Sequence, residues 1–491
     1  MLKKYPFIVI LFLLPLLFIN INDSHDWGDD FAQYLIQARN LVEGKPQTEN
    51  GLVFDKFSEK FAVEAYPIGF PLLISPVYAL SEMEIRPYLI LGTIFLILLA
   101  WLCRNYLCIF FGEKLSLLLM LFFAYHTLTL DLKAQILSEI PFTLFLLLIV
   151  LKLKNENNSI RQWLILGALA GFLSSIRIVG ILCIPALAGF LLMNFIKNKS
   201  DASYSTGTRT KIFLLFNVAC IGSFWILNNV LFKIPLFEFL NFYKQATSGN
   251  AIHFFSNLHA YLDQCGTIFS LPYLQSSWWA IICSLLILTG FINAFIRNSG
   301  FEEWWTLFYL IVLGLYPYTS GGFRFLFPLF PFLIRYFFEG IRIIVSTIKK
   351  SSVQKVQYLS CLILLVALIQ PLYGIINDGG KSIQGPQSKE AKELFSYIRN
   401  STNEDALIVF PRARAMALYS DRQTTYLLQN ETIRESVDLF DRLKVSHLIL
   451  PKDNENSPLY DPALWEYFHS QKLRTKMVWE NQGFEVYRLL H

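Results

Sequence analysis

The chain has 491 residues, of which 54% are hydrophobic and only 16% are charged, whereas soluble domains average about 25% charged residues. Its mean hydropathy of +0.43 and its 44 phenylalanines exclude an ordinary soluble enzyme and a disordered chain. The formal net charge of +5 is small and scattered, so nothing in it supports nucleic-acid binding. The composition therefore predicts a polytopic α-helical membrane protein.

Apolar runs along the chain predict about eleven membrane-spanning helices, because a span needs about 20 mostly apolar residues. The predicted spans are 5–21, 87–108, 115–131, 137–151, 162–176, 178–196, 211–232, 278–296, 304–318, 325–345 and 356–376. Lys3 and Lys4 precede the first run, and no small-residue cleavage site follows it. We therefore expect a retained signal anchor rather than a cleaved signal peptide.

The distribution of charge predicts two domains. Roughly 27% of residues 378–491 are charged, the share of a soluble domain, against about 13% of residues 1–377. We therefore expect a transmembrane body of residues 1–377 and a water-exposed domain of residues 378–491. Turn-forming residues at 377–380 and 385–386 are the expected linker.

The positions of Lys and Arg predict the orientation. With a cytoplasmic N-terminus, about 16 of them fall in short inner segments, and about ten fall in outer segments of roughly twice the length. The odd number of spans then places residues 378–491 outside the cytoplasm. This predicts a multi-pass protein of the cell (inner) membrane with two large outer loops, residues 22–86 and 233–277, and a C-terminal domain that is periplasmic in a Gram-negative source.

Two regions outside the spans have recognisable patterns. The apolar stretch Tyr66–Leu80 contains three prolines, so we expect it to lie at the membrane interface rather than to cross it. The C-terminal residues alternate between helical and strand-like segments, which predicts a small α/β domain with helices packed on a short sheet. The predicted segments are helices 388–399 and 432–443 and strands 406–410, 447–450, 476–479 and 484–489.

Two adjacent carboxylates, Asp29 and Asp30, follow the first span in the segment from His25 to Arg39. Three roles are open for them: a cap on the helix that begins there, a general base towards a hydroxyl or amine, or a ligand of a divalent metal ion. The chain has no Walker A loop and no GxGxxG motif, so the sequence supports neither ATP-driven transport nor a dinucleotide cofactor.

The segment that holds Asp29, Asp30, Tyr34 and Arg39 resembles the first-loop signature of the GT-C glycosyltransferases. The most similar branch is that of the bacterial protein O-mannosyltransferases and aminoarabinose transferases, which is glycosyltransferase family 39-like. The acid pair of this branch is usually Asp-Glu. Asp30 therefore keeps the acid of the second position but has a shorter side chain. Further segments resemble the family in the same order: Tyr66-Pro-Ile-Gly-Phe-Pro71, Gly167–Gly171 with Ser174-Ser-Ile-Arg177, Gly321-Gly-Phe-Arg-Phe-Leu-Phe-Pro328, Phe410-Pro-Arg-Ala-Arg414 and Tyr419-Ser-Asp-Arg422.

This resemblance implies an inverting membrane glycosyltransferase that takes a sugar from a polyprenyl-phosphate donor. The acceptor would be a lipid, a glycan or a protein, and the other partners would be membrane lipids rather than nucleic acid. The matched positions imply that Asp29 and Asp30 are catalytic, with Asp29 as the general base. Tyr34 and Tyr66 would support them.

The phosphate of such a donor needs fixed cations at the outer interface when it leaves. Arg177 and Arg324 lie at that depth beside apolar spans, where an arginine is costly unless it is functional or paired. Alternatively, the apolar part of each arginine side chain lies along the helix surface and lets the guanidinium group reach water. Glu139 begins the fourth span, where it could pair with one of these arginines, orient the acceptor, or only interact with the helix dipole.

Two other functions stay open. A secondary transporter would have inverted repeats and polar groups near the bilayer midplane, whereas the polar residues here gather at the predicted outer edge. A non-catalytic membrane protein with a partner-binding outer domain would tolerate changes at Asp29, Asp30 and Arg324. The sequence favours the glycosyltransferase.

We expect residue 457 to be accessible from outside the cytoplasm. Ser457→Cys should react with a membrane-impermeant thiol reagent in intact cells with a permeable outer membrane, because the positive-inside rule places residues 378–491 on that side. The chain without the added cysteine is the control. Labelling that occurs only after lysis would contradict this topology.

Overall fold

The computed structural model describes residues 9, 11–53, 63–154, 159–197, 206–235, 253–269, 277–316, 321–348, 352–378, 385–427, 432–452 and 457–490. The chain divides into two compact units. The first unit comprises Met1–Ile21, Leu89–Leu231 and Tyr243–Gly380, and the second comprises Asn22–Tyr88, Phe232–Phe242 and Lys381–His491. The second unit thus combines the whole range of the first predicted outer loop, residues 22–86, with the C-terminal residues, a grouping that composition does not indicate.

Most of the described residues are helical. The α-helices are α1 Asp29–Glu43, α2 Gly69–Ser81, α3 Ile85–Tyr125, α4 Thr127–Lys133, α5 Glu139–Lys154, α6 Ile160–Ile176, α7 Cys183–Lys197, α8 Thr206–Trp225, α9 Phe254–Ile268, α10 Ser277–Arg297, α11 Phe301–Leu315, α12 Phe323–Leu326, α13 Phe330–Ile348, α14 Val353–Ala367, α15 Ile369–Asp378, α16 Lys389–Ser401, α17 Ala413–Ser420, α18 Ile433–Leu443 and α19 Pro462–Ser470. Helix α3 is broken at Gly112, whose φ of 75° is not helical.

Within the described ranges, five helical segments are long and apolar enough to cross a membrane: Ile85–Tyr125, Ile178–Ile196, Gly207–Leu231, Trp278–Arg297 and Val353–Asn377. Other predicted spans coincide with α5, α6, α11 and α13, which are shorter or carry charged residues. Residues 5–8 and 10 of the first predicted span lie outside the described residues, as do 236–252 and 270–276 of the second outer loop. The polytopic helical class is confirmed, and the number of eleven spans stays a prediction.

Helices α6 and α8 of the first unit pack closely through two glycines. A Cβ on Gly167 would lie 2.3 Å from the backbone oxygen of Phe216, and a Cβ on Gly171 would lie 2.3 Å from that of Cys220. Small residues four positions apart allow the backbones of membrane helices to approach in this way. The glycine-rich motif therefore fixes the position of α6, and Arg177 follows directly at its C-terminal end.

A buried ionic cluster connects four other helices of the first unit. Arg335 on α13 is fully buried, and its Nη1 lies 2.8 Å from Oε1 of Glu302 and 2.6 Å from Oε1 of Glu303 on α11. The same Nη1 donates to the hydroxyl of Tyr106 on α3 over 3.0 Å, and Nζ of Lys154 on α5 lies 2.6 Å from Glu302. Loss of one partner from a buried ionic cluster typically costs about 3–5 kcal/mol, so this cluster holds the helices in register.

The second unit contains a five-stranded sheet in the order β2-β1-β3-β5-β4. Its strands are β1 Leu407–Val409, β2 Gln423–Thr425, β3 His447–Pro451, β4 Thr475–Glu480 and β5 Phe484–Leu489. Strand β1 runs parallel to β2 and β3, and β5 runs antiparallel to β3 and β4. Phe440 and Tyr467, from α18 and α19, pack on Leu448 and Leu450 of β3. The predicted α/β domain is confirmed.

The first outer loop folds onto this sheet. The N–H of Thr424 on β2 donates to Gly51 over 2.8 Å, and the N–H of Val53 donates back to Thr424 over 2.8 Å. Trp27 is buried and contacts three aromatic rings: Phe395, Phe410 and Phe484. The aromatic contacts of Trp27 hold the segment before α1, and the backbone contacts of Gly51 and Val53 hold the segment after it.

The predicted C-terminal segments are confirmed with small shifts of their ends. Helices α16 and α18 follow Ser388 and Thr432, whose side chains accept hydrogen bonds from the first turn as N-caps do. Sequence patterns missed α17, β2 and α19, because each has fewer than ten residues and too few repeats of a pattern to recognise. In the first outer loop, the proline-containing stretch Tyr66–Leu80 contains all but the last residue of α2, which at 13 residues is too short to span a bilayer.

Candidate functional site

Helix α1 places the two adjacent carboxylates. Gly28 occupies the N-cap position with an extended backbone and makes no side-chain cap. Asp29 and Asp30 are therefore the first residues of the helix and not its cap, so a capping role does not explain them. Negative charge in the first turn of a helix is favourable, but this effect leaves the carboxylate oxygens available for other contacts.

A chain of hydrogen bonds holds Asp30 in the second unit. The Tyr66 hydroxyl donates to Oδ1 of Asp30 over 2.6 Å, and Nη1 of Arg414 donates to the Tyr66 oxygen over 2.9 Å. Burial raises the pKa of Tyr66 well above its usual range, and the Asp30 carboxylate adds to this effect, although Arg414 opposes it. Tyr66 therefore stays a neutral donor to Asp30 at physiological pH.

Tyr66 is itself held on both its backbone and its ring. The side-chain amide of Gln37 on α1 accepts from the Tyr66 N–H and donates to its carbonyl, each over 2.9 Å. The ring of Tyr34 lies 5.3 Å from the Tyr66 ring and 4.7 Å from the Phe70 ring, measured between centroids. The structure thus brings the predicted supporting residues Tyr34 and Tyr66 together with Asp30.

Asp29 has a different environment. The backbone N–H of Ala415 hydrogen-bonds to its carboxylate, while its buried Oδ1 has no hydrogen-bond partner among the described residues. Burial raises the pKa of Asp29, Arg414 and Arg412 lower it, and nearby Asp30 raises it, with a net upward shift. An aspartate with a raised pKa is a stronger base than an ordinary one.

Arg412 and Arg414 are site residues that the sequence analysis did not single out, although it quoted the motif that contains them. They follow β1 at the start of α17, and Arg414 is almost fully buried. Arg414 also donates to the backbone oxygen of Val63 over 3.2 Å. Two arginines separated by one residue directly after a buried strand are unusual in a domain core, and this spacing was the signal available in the sequence.

Asp26 and His25 precede the carboxylate pair and contact each other, with His25 Nδ1 2.8 Å from Asp26 Oδ1. The His25 ring stacks on Phe31 at 4.1 Å, and its backbone N–H donates to Gln387 over 2.9 Å. Burial alone would raise the pKa of Asp26, but the hydrogen bond and charge of His25 lower it overall. Asp26 therefore differs from Asp29 in the direction of its shift, and Asp29 is the better base.

In the first unit, the structure brings together the other three predicted residues. Glu139, at the start of α5, is buried, and its Oε1 accepts from Nη1 of Arg177 over 2.6 Å and from Nε of Arg324. Nη1 of Arg177 also donates to Ser138 over 3.1 Å. The two arginine side chains stay 17% and 26% exposed, whereas Glu139 is 1% exposed. Among the described residues, the carboxylate of Glu139 thus pairs with both guanidinium groups.

A divalent metal ion at Asp29 and Asp30 stays a prediction, which the described ranges do not test. Within these ranges, no group of three or more His, Cys, Asp or Glu side chains could hold one. His25 contacts Asp26, and Tyr66 donates a hydrogen bond to Asp30; burial has the larger effect on the pKa of Asp29 and raises it, while the charges of Arg414 and Arg412 act on Asp29 and lower its pKa.

Neither a family model nor a curated protein matches the sequence of this chain, but solved structures match its fold. The structure of ArnT from Cupriavidus metallidurans bound to undecaprenyl phosphate aligns with a TM-score of 0.59 at 9% identity, covering 99% of this chain and 98% of ArnT. The archaeal oligosaccharyltransferase AglB from Archaeoglobus fulgidus, in complex with an inhibitory peptide and a dolichol-phosphate, aligns with a TM-score of 0.56 at 11% identity, covering 92% and 70%.

The arabinofuranosyltransferase AftD from mycobacteria gives a TM-score of 0.51 at 13% identity, and covers 100% of this chain and 42% of AftD. ArnT, AglB and AftD are GT-C glycosyltransferases. At such low identities the similarity establishes the fold. The chain therefore has the GT-C fold, as the sequence motifs predict.

Proposed function

We propose that this chain is a membrane glycosyltransferase that moves a sugar from a polyprenyl-phosphate donor to an acceptor hydroxyl or amine on the outer face of the membrane. Two proteins with the same fold are described with a polyprenyl phosphate bound, undecaprenyl phosphate in ArnT and dolichol-phosphate in AglB. The observation that carries the proposal is the buried Oδ1 of Asp29, which has no partner among the described residues. A buried acceptor atom of this kind is costly unless a ligand supplies its partner.

In this proposal Asp29 is the general base. The acceptor O–H or N–H donates to the carboxylate, and its proton moves there as the acceptor atom attacks the anomeric carbon. The bond from that carbon to the phosphate oxygen breaks, and its electron pair leaves with the polyprenyl phosphate. Attack opposite to the leaving group inverts the anomeric configuration.

Asp30 and Tyr66 support the base by fixing the first turn of α1, and Arg414 supports Tyr66. Fixed hydrogen bonds of this kind hold a reacting group in one geometry, which lowers the cost of reaching the transition state. Because Asp30 accepts from Tyr66 at 2.6 Å, it is already engaged. Asp29 has the oxygen that can receive a proton.

Arg177 and Arg324 are assigned to the donor phosphate. Guanidinium groups present several N–H donors in a planar fork that matches phosphate oxygens. Both side chains remain partly exposed while one carboxylate holds them in place. They would stabilise the charge that develops on the phosphate as the glycosidic bond breaks.

The proposed location is the inner membrane, with residues 378–491 on the periplasmic side. Support comes from the asymmetry of Lys and Arg in the loops and from the lipid tail of the donor, which stays in the bilayer. The acceptor remains a lipid, glycan or protein.

Replacement of the base tests the proposal. Asp29→Asn keeps the size of the side chain but cannot take the acceptor proton, so turnover should fall about 10²–10⁴-fold while binding of undecaprenyl phosphate stays within about twofold. Glycosyl transfer and lipid binding are measured on the same preparation. Asp23→Asn is the matched control, because Asp23 is an exposed acid of the same segment and its loss should leave turnover unchanged. Near-normal turnover of Asp29→Asn would mean that this carboxylate is not the base.

The pH dependence tests the environment of Asp29. The base works only when ionised, so kcat/KM should fall as pH falls through the pKa of Asp29, which burial raises above the ordinary value of about 3.9. Arg414 opposes this rise, so Arg414→Gln should move the acid limb of the profile to higher pH.

Arg414→Lys keeps the positive charge and should leave the acid limb near its wild-type position. Arg399→Gln, which removes a half-exposed arginine of the same unit that pairs with Asp421, controls for a general loss of charge. An acid limb that does not move in Arg414→Gln would contradict the assignment of Asp29.

A further inference from the structure

Glu139 neutralises part of the charge of the arginine pair. Its Oε1 is shared between Nη1 of Arg177 and Nε of Arg324, and Ser138 accepts a further hydrogen bond from Arg177. The three charged side chains of this cluster sum to one positive charge rather than two. Glu139 is buried and the arginines are partly exposed. A bound anion would therefore contact the guanidinium groups directly, and the negative charge of Glu139 would weaken their attraction for it.

The proposed reaction changes the charge of the lipid phosphate. A polyprenyl-phosphate sugar is a phosphodiester with one negative charge. When the bond to the anomeric carbon breaks, the phosphate keeps the electron pair and becomes a monoester, which carries about −1.5 to −2 at pH 7 because its second pKa is near 6. The acceptor proton, taken by Asp29, balances the added charge. The product is therefore more negative than the substrate and binds any cationic site more tightly.

We propose that Glu139 is the positioning residue that sets the charge of the arginine pair so that the site accepts the monoanionic donor and releases the dianionic product. This inference rests on the proposed function. Without the charge of Glu139, the arginine pair would hold the leaving lipid phosphate most tightly after transfer, and product release would limit turnover. The buried carboxylate weakens the hold on both lipids, and it weakens it more for the phosphate with the larger charge.

Two probes of different charge test this without knowledge of the sugar. The first is undecaprenyl phosphate, the monoester, and the second is its methyl ester, a phosphodiester with one negative charge. In the wild-type protein, whose three charged side chains sum to one positive charge, the monoester should bind only slightly more tightly than the methyl ester. In Glu139→Gln, which keeps the shape of the side chain, the monoester should bind at least about tenfold more tightly relative to the methyl ester.

Two variants control for effects on folding and on overall charge. Glu139→Asp restores the negative charge and should restore the wild-type ratio of the two affinities. Asp131→Asn removes an exposed acid from α4 in the same unit and should leave the ratio unchanged. In steady-state assays Glu139→Gln should lower both kcat and KM, with a burst of the first turnover, because release of the lipid phosphate becomes slow.

The outcomes separate this inference from the function on which it rests. If the wild-type protein binds neither probe, the proposed function fails and the role of Glu139 fails with it. If the wild-type protein binds both probes but Glu139→Gln leaves their ratio unchanged, only the role of Glu139 is overturned. Tighter binding of both probes by the same factor would also overturn it, since Glu139 would then repel anions without distinguishing their charge.

Discussion

A charged side chain that leaves water is costly unless it meets an opposite charge or hydrogen-bond partners, and three clusters of described residues follow that constraint. In the first unit, Arg335 is fully buried against Glu302 and Glu303, and Glu139 is buried between Arg177 and Arg324. In the second unit, Arg414 is buried beside Tyr66 and the carboxylates of α1. Each cluster joins segments that are distant in sequence, so pairing of charge determines which helices and loops pack together.

The clusters differ in exposure, and this difference separates structural charges from those available to a ligand. Arg335 is 0% exposed, and its contacts connect helices, so its role is to hold the membrane body together. Arg177 and Arg324 are fixed by Glu139 yet keep part of their surface open. An arginine that is both fixed and accessible is suited to a phosphate, because its orientation is set before the ligand arrives.

Much of the fold follows from local patterns in the sequence. Apolar runs predict the positions of the long helices, and alternation with N-caps at Ser388 and Thr432 predicts most of the C-terminal domain. The residues Asp29, Arg177 and Arg324 are also predictable, because charge beside apolar spans is costly. The residues that contact these side chains are harder to predict from the sequence. Arg414 reaches the hydroxyl of Tyr66 over 348 positions of sequence, and no periodicity within one helix or strand encodes a contact of that range.

The contacts between the first outer loop and the C-terminal sheet could not be predicted from local sequence patterns either. Trp27 and the backbone of Gly51 and Val53 contact residues of the C-terminal region, although composition alone divides the chain near residue 377. The local signal at α1 was also ambiguous, because an acid at a helix start is usually a cap. Only the extended backbone of Gly28 shows that Asp29 lies inside the first turn.

The most direct test of the central claim is the identity of the lipid that the purified protein retains. The protein is extracted in mild detergent, and bound lipids are identified by mass spectrometry. Transfer from a polyprenyl-phosphate donor predicts an isoprenoid phosphate, with or without a sugar, at up to one per chain, and its loss in Arg324→Ala. A protein that retains no such lipid and does not bind added undecaprenyl phosphate would contradict the proposed function.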